Sequence, residues 1–377
     1  MSSLSRLRGL FTSNPSFKSK TNILKSTSTN KKPLPEEVDF QNVVNKFKES
    51  SESHEFRKKR SIYETTVRRL AKAQKYSMIE EILESQKKYK DMSCEGFVIR
   101  LIYLYGISGL VDHAQKLFDE MPQFDCERTV KSFNTLLSAY AYAKNFDKVV
   151  EFFREMPSKI SIQANEVSYN IVIHAFCEMG SLDLAMSMVD EMEKNGIGPT
   201  FVTFGTLLDA FYKNSRYMDG EKIWALMESK NVEPSVRCYS SRLRGMVSDS
   251  RISEAVELID EMRQKGLKPD VFIFNTLIKG FCDDGNMQEA KHWYDELKKH
   301  DCSPDKITYM TIVPFLCKEG DLDMAMELCK EAINRRSLAD VAVLKCVTDG
   351  LHKEGKTEKA SELLKLGKSK KYQIDNI

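Results

Sequence analysis

Three stretches of the chain share one pattern: VKSFNTLLSAY from Val130, EVSYNIVIHAF from Glu166 and VFIFNTLIKGF from Val271. Each sets an asparagine, Asn134, Asn170 or Asn275, among aromatic and aliphatic residues. Aligning them exposes a period of 35, with units beginning at Glu95, Val130, Glu166, Phe201, Val236, Val271, Lys306 and Val341. The unit from Val130 alone has 36 residues, and a degenerate ninth copy containing SIYETTV begins near Arg60. A period of this size marks a solenoid, because one short unit cannot bury its own apolar face and must stack on its neighbours.

Counting each unit from its first residue, position four is aromatic (Phe133, Tyr169, Phe204, Tyr239, Phe274, Tyr309), with apolar residues at seven, eight and eleven. Spacings of three and four place these on one helix face. A turn former follows at position fifteen (Gly109, Gly180, Gly285, Gly320, Gly355) and stops the first helix. A second amphipathic helix carries alanine at position twenty and methionine at twenty-seven. Pro199, Pro234, Pro269 and Pro304 are expected to end the unit, since proline cannot continue a helix. The fold class expected is all-α, a right-handed superhelical solenoid of about nine helix-turn-helix repeats over residues 60–375, with a helical or partly disordered lead-in at 36–59.

Composition narrows the function. No apolar run reaches the roughly 18 residues of a membrane span, so no membrane partner is expected. The nine cysteines form no CxxC pair, and Cys177, Cys282 and Cys317 share one repeat position, which favours reduced packing thiols over a disulfide or zinc framework. The first acidic residue is Glu36, preceded by Arg6, Arg8, Lys18, Lys20, Lys25, Lys31 and Lys32 among serines and threonines. Such a basic, acid-free segment reads as an organelle transit peptide over residues 1–35. Without it the formal charge of +2 becomes negative, so any attraction for phosphate must be local.

The segments VSYNIVIHAFCEMGSLDLAMSMVDEMEKNGIGPT and VFIFNTLIKGFCDDGNMQEAKHWYDELKKHDCSPD resemble pentatricopeptide repeats. The uniform 35-residue length is similar to the plant P class, and the run through EMP, DCER and the following Phe-Asn pair resembles a short subgroup found with mitochondrial ribosomes. The resemblance implies a reader of single-stranded or ribosomal RNA in the mitochondrial matrix, or less readily in the chloroplast, with mitochondrial ribosomal proteins as further partners. It also implies that each repeat faces one base. Position five and the last residue reach the base edge, while position-two side chains of adjacent repeats sandwich the ring.

Carried over repeat by repeat, Asn275 with Asp305 matches the uracil-type pair, Asn134 with Asn165 a cytosine-leaning pair, and Ser240 with Asp270 a guanine-type pair. Asn170 with Thr200 matches a pyrimidine. Ile99 with Thr129, Gly205 with Ser235, Met310 with Asp340 and Lys345 with Asp375 match no familiar combination. From the Val130 repeat onward the array reads C, pyrimidine, any base, G, U. The base sandwich is assigned to Val167, Val202, Arg237, Phe272 and Ile307, and phosphate contact to Lys213, Lys318 and Lys353 at position thirteen.

Two structural explanations compete with these roles. The last residue of each repeat is a good helix N-cap. An asparagine inside the first turns of a helix could instead make an inter-repeat amide bond. No HExxH, GxSxG or P-loop pattern occurs, the histidines fall at unrelated repeat positions, and the chain ends two residues after the last repeat. The expectation is a non-catalytic protein without cofactor or metal. It would be a component or partner of the mitochondrial ribosome, a transcript-selective binder, or a protein scaffold.

Overall fold

The computed structural model describes residues 39–372 apart from 301, 338–340 and 371; the basic N-terminal segment, Asp340 and Asp375 lie outside these. Every regular element among the described residues is helical. The lead-in forms α1 (Phe40–Ser50) and α2 (His54–Lys58), and the first hairpin pairs α3 (Arg60–Lys72) with α4 (Tyr76–Glu84). The next four hairpins are α5 (Glu95–Ile107) with α6 (Val111–Glu120), α7 (Val130–Tyr142) with α8 (Phe146–Ile160), α9 (Glu166–Glu178) with α10 (Leu182–Lys194), and α11 (Phe201–Lys213) with α12 (Tyr217–Ser229). The last four are α13 (Val236–Ser248) with α14 (Ile252–Gln264), α15 (Val271–Asp283) with α16 (Met287–Lys299), α17 (Lys306–Lys318) with α18 (Leu322–Asn334), and α19 (Val341–Lys353) with α20 (Thr357–Ser369).

Each first helix packs on its own second helix and on the first helix of the next repeat, so the chain builds two helical layers. The position-four aromatics and the position-twenty alanines are buried throughout. Removing one such aromatic side chain from water stabilises by ~1.5–3 kcal/mol. The small alanine lets the two helices of a hairpin approach. At the N-terminal end α1 covers the stack: Val44 and Phe47 are buried, and the Phe47 ring lies 4.8 Å from Tyr63 and 5.2 Å from Phe56. Arg57 closes this end, bonding the Ser51 carbonyl at 2.7 Å and the Asp91 carboxylate at 2.8 Å, with its guanidinium over Tyr89.

Position fifteen is left-handed in all nine hairpins. Glycine holds it at Gly109, Gly180, Gly285, Gly320 and Gly355, but Gln74, Lys144, Ser215 and Ser250 adopt the same positive φ. The expected role of the prolines needs correction. Pro199, Pro234, Pro269 and Pro304 stand five residues beyond the last residue of the second helix. The helix is stopped earlier where Gly196, Asn231 and Gly266 turn left-handed, and the prolines hold the extended link that follows. Proline also occurs inside a helix at Pro157 and Pro314. The extra residue of the Val130 repeat is taken up in α8, which runs 15 residues where α10, α12 and α14 run 13.

The nine cysteines are all free thiols. Burial pushes the Cys177 and Cys282 thiols up to about 12, so they remain protonated packing groups. Among the described residues no cluster of acidic, histidine and cysteine side chains could hold a metal, and no helix is long and apolar enough to cross a membrane.

Candidate nucleic-acid interface

The three asparagines at position five lie near the N-terminal ends of α7, α9 and α15, on the side facing the next first helix. Asn134, Asn170 and Asn275 are 8%, 5% and 6% exposed, so nearly every polar atom must find a partner. In the Val271 repeat, Asn275 Nδ2 donates to Asp305 Oδ1 at 3.0 Å, and Thr308 Oγ1 donates to Asn275 Oδ1 at 2.7 Å. Asp305 accepts from the Thr308 backbone at 2.9 Å, capping α17. The Thr308 hydroxyl also accepts from the Asp305 N–H at 3.0 Å, and its one hydrogen has two acceptors in reach, the amide oxygen at 2.7 Å and Asp305 Oδ1 at 3.0 Å. A carboxylate only accepts, which turns the asparagine NH₂ toward Asp305 and its oxygen toward Thr308.

The Val130 repeat repeats this geometry. Asn134 Nδ2 reaches Asn165 Oδ1 at 3.0 Å, and Ser168 Oγ donates to Asn134 Oδ1 at 2.6 Å while Asn165 caps α9. In the Glu166 repeat, Thr203 Oγ1 likewise donates to Asn170 Oδ1 at 2.8 Å. Here the pair is joined through a third residue: Thr200 Oγ1 donates to Glu166 Oε1 at 2.8 Å, and Asn170 Nδ2 reaches the same oxygen at 3.4 Å. The position-five and last residues of these repeats therefore sit together at the inter-repeat seam. Capping and amide bonding therefore coexist in the same side chains.

The other repeats differ. Ser240 donates to the Val236 carbonyl of its own helix at 2.8 Å, while Asp270 caps α15 through the Ile273 N–H at 3.0 Å; no hydroxyl stands at position three to join them. At Gly205 there is no amide, and a Cβ there would lie 3.4 Å from Sγ of Cys238, which holds position three of the next repeat, where Ser168, Thr203 and Thr308 carry their hydroxyls. At Ile99, Glu95 Oε1 completes the cap instead, accepting from the Thr129 hydroxyl at 2.7 Å and its N–H at 3.0 Å.

The assigned stacking residues are graded in exposure. Val167, Val202 and Arg237 are half-buried, whereas Phe272 and Ile307 are exposed. The position-thirteen lysines are not equivalent. Lys213 pairs with Asp209 at 2.7 Å, and Arg244 binds the same carboxylate. Burial alone would raise the Asp209 pKa, but these two cations more than offset it and hold the group below its ordinary value. Lys318 lies 3.8 Å from Glu319 and is largely exposed, and Lys353 is exposed. The cationic surface thus falls at separated points along the first-helix layer.

The position-three hydroxyls of Ser168, Thr203 and Thr308 and the position-one carboxylates of Glu95 and Glu166 escaped the sequence reading. A signal existed: each position-five asparagine is followed 33 or 34 residues later by Ser or Thr.

The PPR repeat family model matches residues 164–213 and 269–318. The PPR repeat model matches 100–126, 131–159, 202–232, 237–267 and 307–336. The small ribosomal subunit protein mS78 (rPPR3a) of Arabidopsis thaliana is 52% identical over 155 residues, 41% of this chain and 39% of that protein. The small ribosomal subunit protein mS79 (rPPR3b) of Arabidopsis thaliana is 44% identical over 212 residues, 52% of this chain and 53% of that protein. The chain spans about half or less of the length of these relatives. The crystal structure of the maize pentatricopeptide repeat protein PPR10 superposes with a TM-score of 0.54 at 18% identity, covering 89% of this chain and 60% of that one, a likeness of fold. The matched repeats together span more than half of the sequence, and the chain belongs to the pentatricopeptide repeat family.

Proposed function

We propose that this chain is a non-catalytic RNA-binding protein of mitochondrial gene expression, acting as a component or partner of the mitochondrial ribosome. The observation that carries RNA binding is the joining of Asn134 to Asn165 and of Asn275 to Asp305, each at 3.0 Å, which orders an amide edge at a regular spacing along one layer. Single-stranded RNA is the ligand such an edge fits, because its bases can be splayed out and read one per repeat. The ribosomal setting is supported by the likeness to mS78 and mS79, both named as small ribosomal subunit proteins. It also accords with scattered cations, which favour holding a structured RNA alongside proteins over gripping a free strand.

A transcript-selective reading is favoured by the three ordered asparagines. Binding assays at physiological salt separate the two. Weak binding of short RNA carrying C-Y-N-G-U is expected; nanomolar, sequence-dependent binding that Asn134→Ala and Asn275→Ala abolish would favour the selective reader. In fractionated mitochondria the protein is expected to sediment with ribosomal particles. Absence from those fractions together with recovery on one transcript would overturn the ribosomal role. Co-purification that survives ribonuclease unchanged would point to a protein scaffold.

A further inference from the structure

The Glu166 repeat contains a carboxylate that its position-five and last residues do not supply. Asn170 and Thr200 carry an amide and a hydroxyl, and Glu166 at position one lies one helical turn before Asn170 on the same face of α9. Its Oε1 accepts from the Thr200 hydroxyl at 2.8 Å and lies 3.4 Å from Asn170 Nδ2. On the other side of the amide, Thr203 accepts the Thr200 N–H at 3.1 Å and donates to Asn170 Oδ1 at 2.8 Å. The same kinds of group surround the amide in the Val271 repeat, with the carboxylate nearer and itself serving as the cap. There Asn275 Nδ2 faces the Asp305 carboxylate at 3.0 Å and its Oδ1 takes the Thr308 hydroxyl at 2.7 Å.

We infer that Glu166 is a specificity-determining residue of its repeat, supplying the carboxylate that Asp305 supplies to Asn275, and that both repeats therefore share one base preference. The inference rests on the RNA-reading proposal. Its chemistry is that of an acceptor-only group. A carboxylate has no hydrogen to offer, so the neighbouring amide cannot reverse without losing its bond and setting oxygen against oxygen. In the Val130 repeat the partner is Asn165, whose oxygen is fixed by the cap it accepts from the Ser168 N–H at 3.2 Å, so an uncharged amide oxygen stands where the Val271 repeat has a carboxylate. The pair Asn170 with Thr200, taken alone, indicates only a pyrimidine. With Glu166 included, the second RNA position follows the fifth, which faces Asn275 and is of uracil type by the family resemblance.

Glu95 is the internal control. It holds Thr129 through the same kind of bond, at 2.7 Å, but position five of its repeat is Ile99, which has no amide to orient.

The test measures binding of the full chain to C-U-A-G-U, C-C-A-G-U and C-U-A-G-C RNA, and repeats it with Glu166→Gln and Glu95→Gln. In the unaltered protein the U-to-C affinity ratio at the second position is expected to match that at the fifth, at about tenfold. Glu166→Gln is expected to bring the second-position ratio to about one and leave the fifth unchanged. Removing a negative charge could raise affinity for every RNA, but it leaves the ratio as a clean readout. Glu95→Gln is expected to move neither ratio. A second-position ratio that differs from the fifth in the unaltered protein, or one that Glu166→Gln leaves intact, overturns the role of Glu166 alone. Failure of every RNA to bind, or no preference at the fifth position, overturns the base-reading proposal and this inference with it.

Discussion

Between α15 and α17 a buried amide, a hydroxyl and a carboxylate tie two repeats together, with Thr308 donating to Asn275 at 2.7 Å. Between α11 and α13 the corresponding position is Gly205, which has no amide, and Cys238 stands at the position that Thr308 holds in its repeat. The second junction gains its closeness from shape. Tyr212, the residue before Lys213 at the end of α11, lies flat between Gly220 of α12 and Gly245 of α13. A Cβ on Gly220 would come 2.6 Å from its ring, and one on Gly245 would overlap it. The Tyr212 hydroxyl reaches Glu221 at 2.6 Å, which Arg242 also grips at 2.7 Å. One helical frame therefore tolerates two kinds of seam: a polar one built on a buried amide that must be completely satisfied, and one built on a buried ring that must be completely filled, with its charged groups at the margin.

The largest effect is expected at the filled seam. Tyr212→Ala should cost ~3–5 kcal/mol in urea unfolding, because two glycine-lined surfaces cannot close over the cavity. Gly245→Ala should cost ~1–3 kcal/mol by overpacking the ring. Parent-like stability of both variants would break the contrast between the junctions.

At the polar seam Thr308→Val should cost ~1–3 kcal/mol, since it strands the Asn275 oxygen and the Asp305 N–H in a buried site. The double variant Asn275→Leu with Thr308→Val should cost less than the two single changes added together, with a coupling of at least ~0.5 kcal/mol. Strict additivity would show that the amide and hydroxyl do not act as one unit.

This contrast also explains how far the sequence could be read. The 35-residue period, the buried position-four aromatics and the first-helix limits were all visible, because they depend on local spacing and on residue classes with strong preferences. The pairs Asn134 with Asn165 and Asn275 with Asp305 could be named from the family resemblance. Their third partners could not, because Ser168 and Thr308 look like ordinary capping-box residues until the preceding repeat is placed against them. Lys213 was legible as a cation and its i,i+4 pairing with Asp209 follows from spacing on one helix, but the sharing of that carboxylate with Arg244 depends on how α11 meets α13. The prolines misled for a different reason: Gly196 and Gly266 stop the helix first, so proline at that distance only shapes the link.

The Asp209 cluster belongs to the α11 and α13 seam and provides a pH test of it. Lys213 and Arg244 hold the Asp209 pKa below its ordinary value against the opposing effect of burial. The associated stability is fully present above the ordinary aspartate value of about 3.9, and is lost as pH falls toward the depressed folded value. Asp209→Asn should remove ~1 kcal/mol at pH 7 and flatten the stability profile between pH 5 and pH 2. A slope unchanged by the substitution would show that the cluster is solvated enough to contribute nothing.

The smallest expected effect distinguishes the hairpins themselves and concerns backbone alone. Gly285, in the repeat with the polar seam, has φ 74°, and nothing lies within 4 Å of where its Cβ would stand. Gly285→Ala should therefore cost ~1 kcal/mol through left-handed strain without any clash. Ser215 occupies the same place in the repeat with the filled seam at φ 59°. Ser215→Gly relieves that strain but also gives the unfolded chain more freedom, so a gain of no more than ~0.5–1 kcal/mol is expected. If Ser215→Gly destabilises instead, Ser215 is held by more than turn geometry; its Oγ lies 3.5 Å from the Tyr217 hydroxyl, a side-chain contact that glycine would lose. Removing that contact separately with Tyr217→Phe would decide between the two, because a turn governed by backbone alone is indifferent to the phenol.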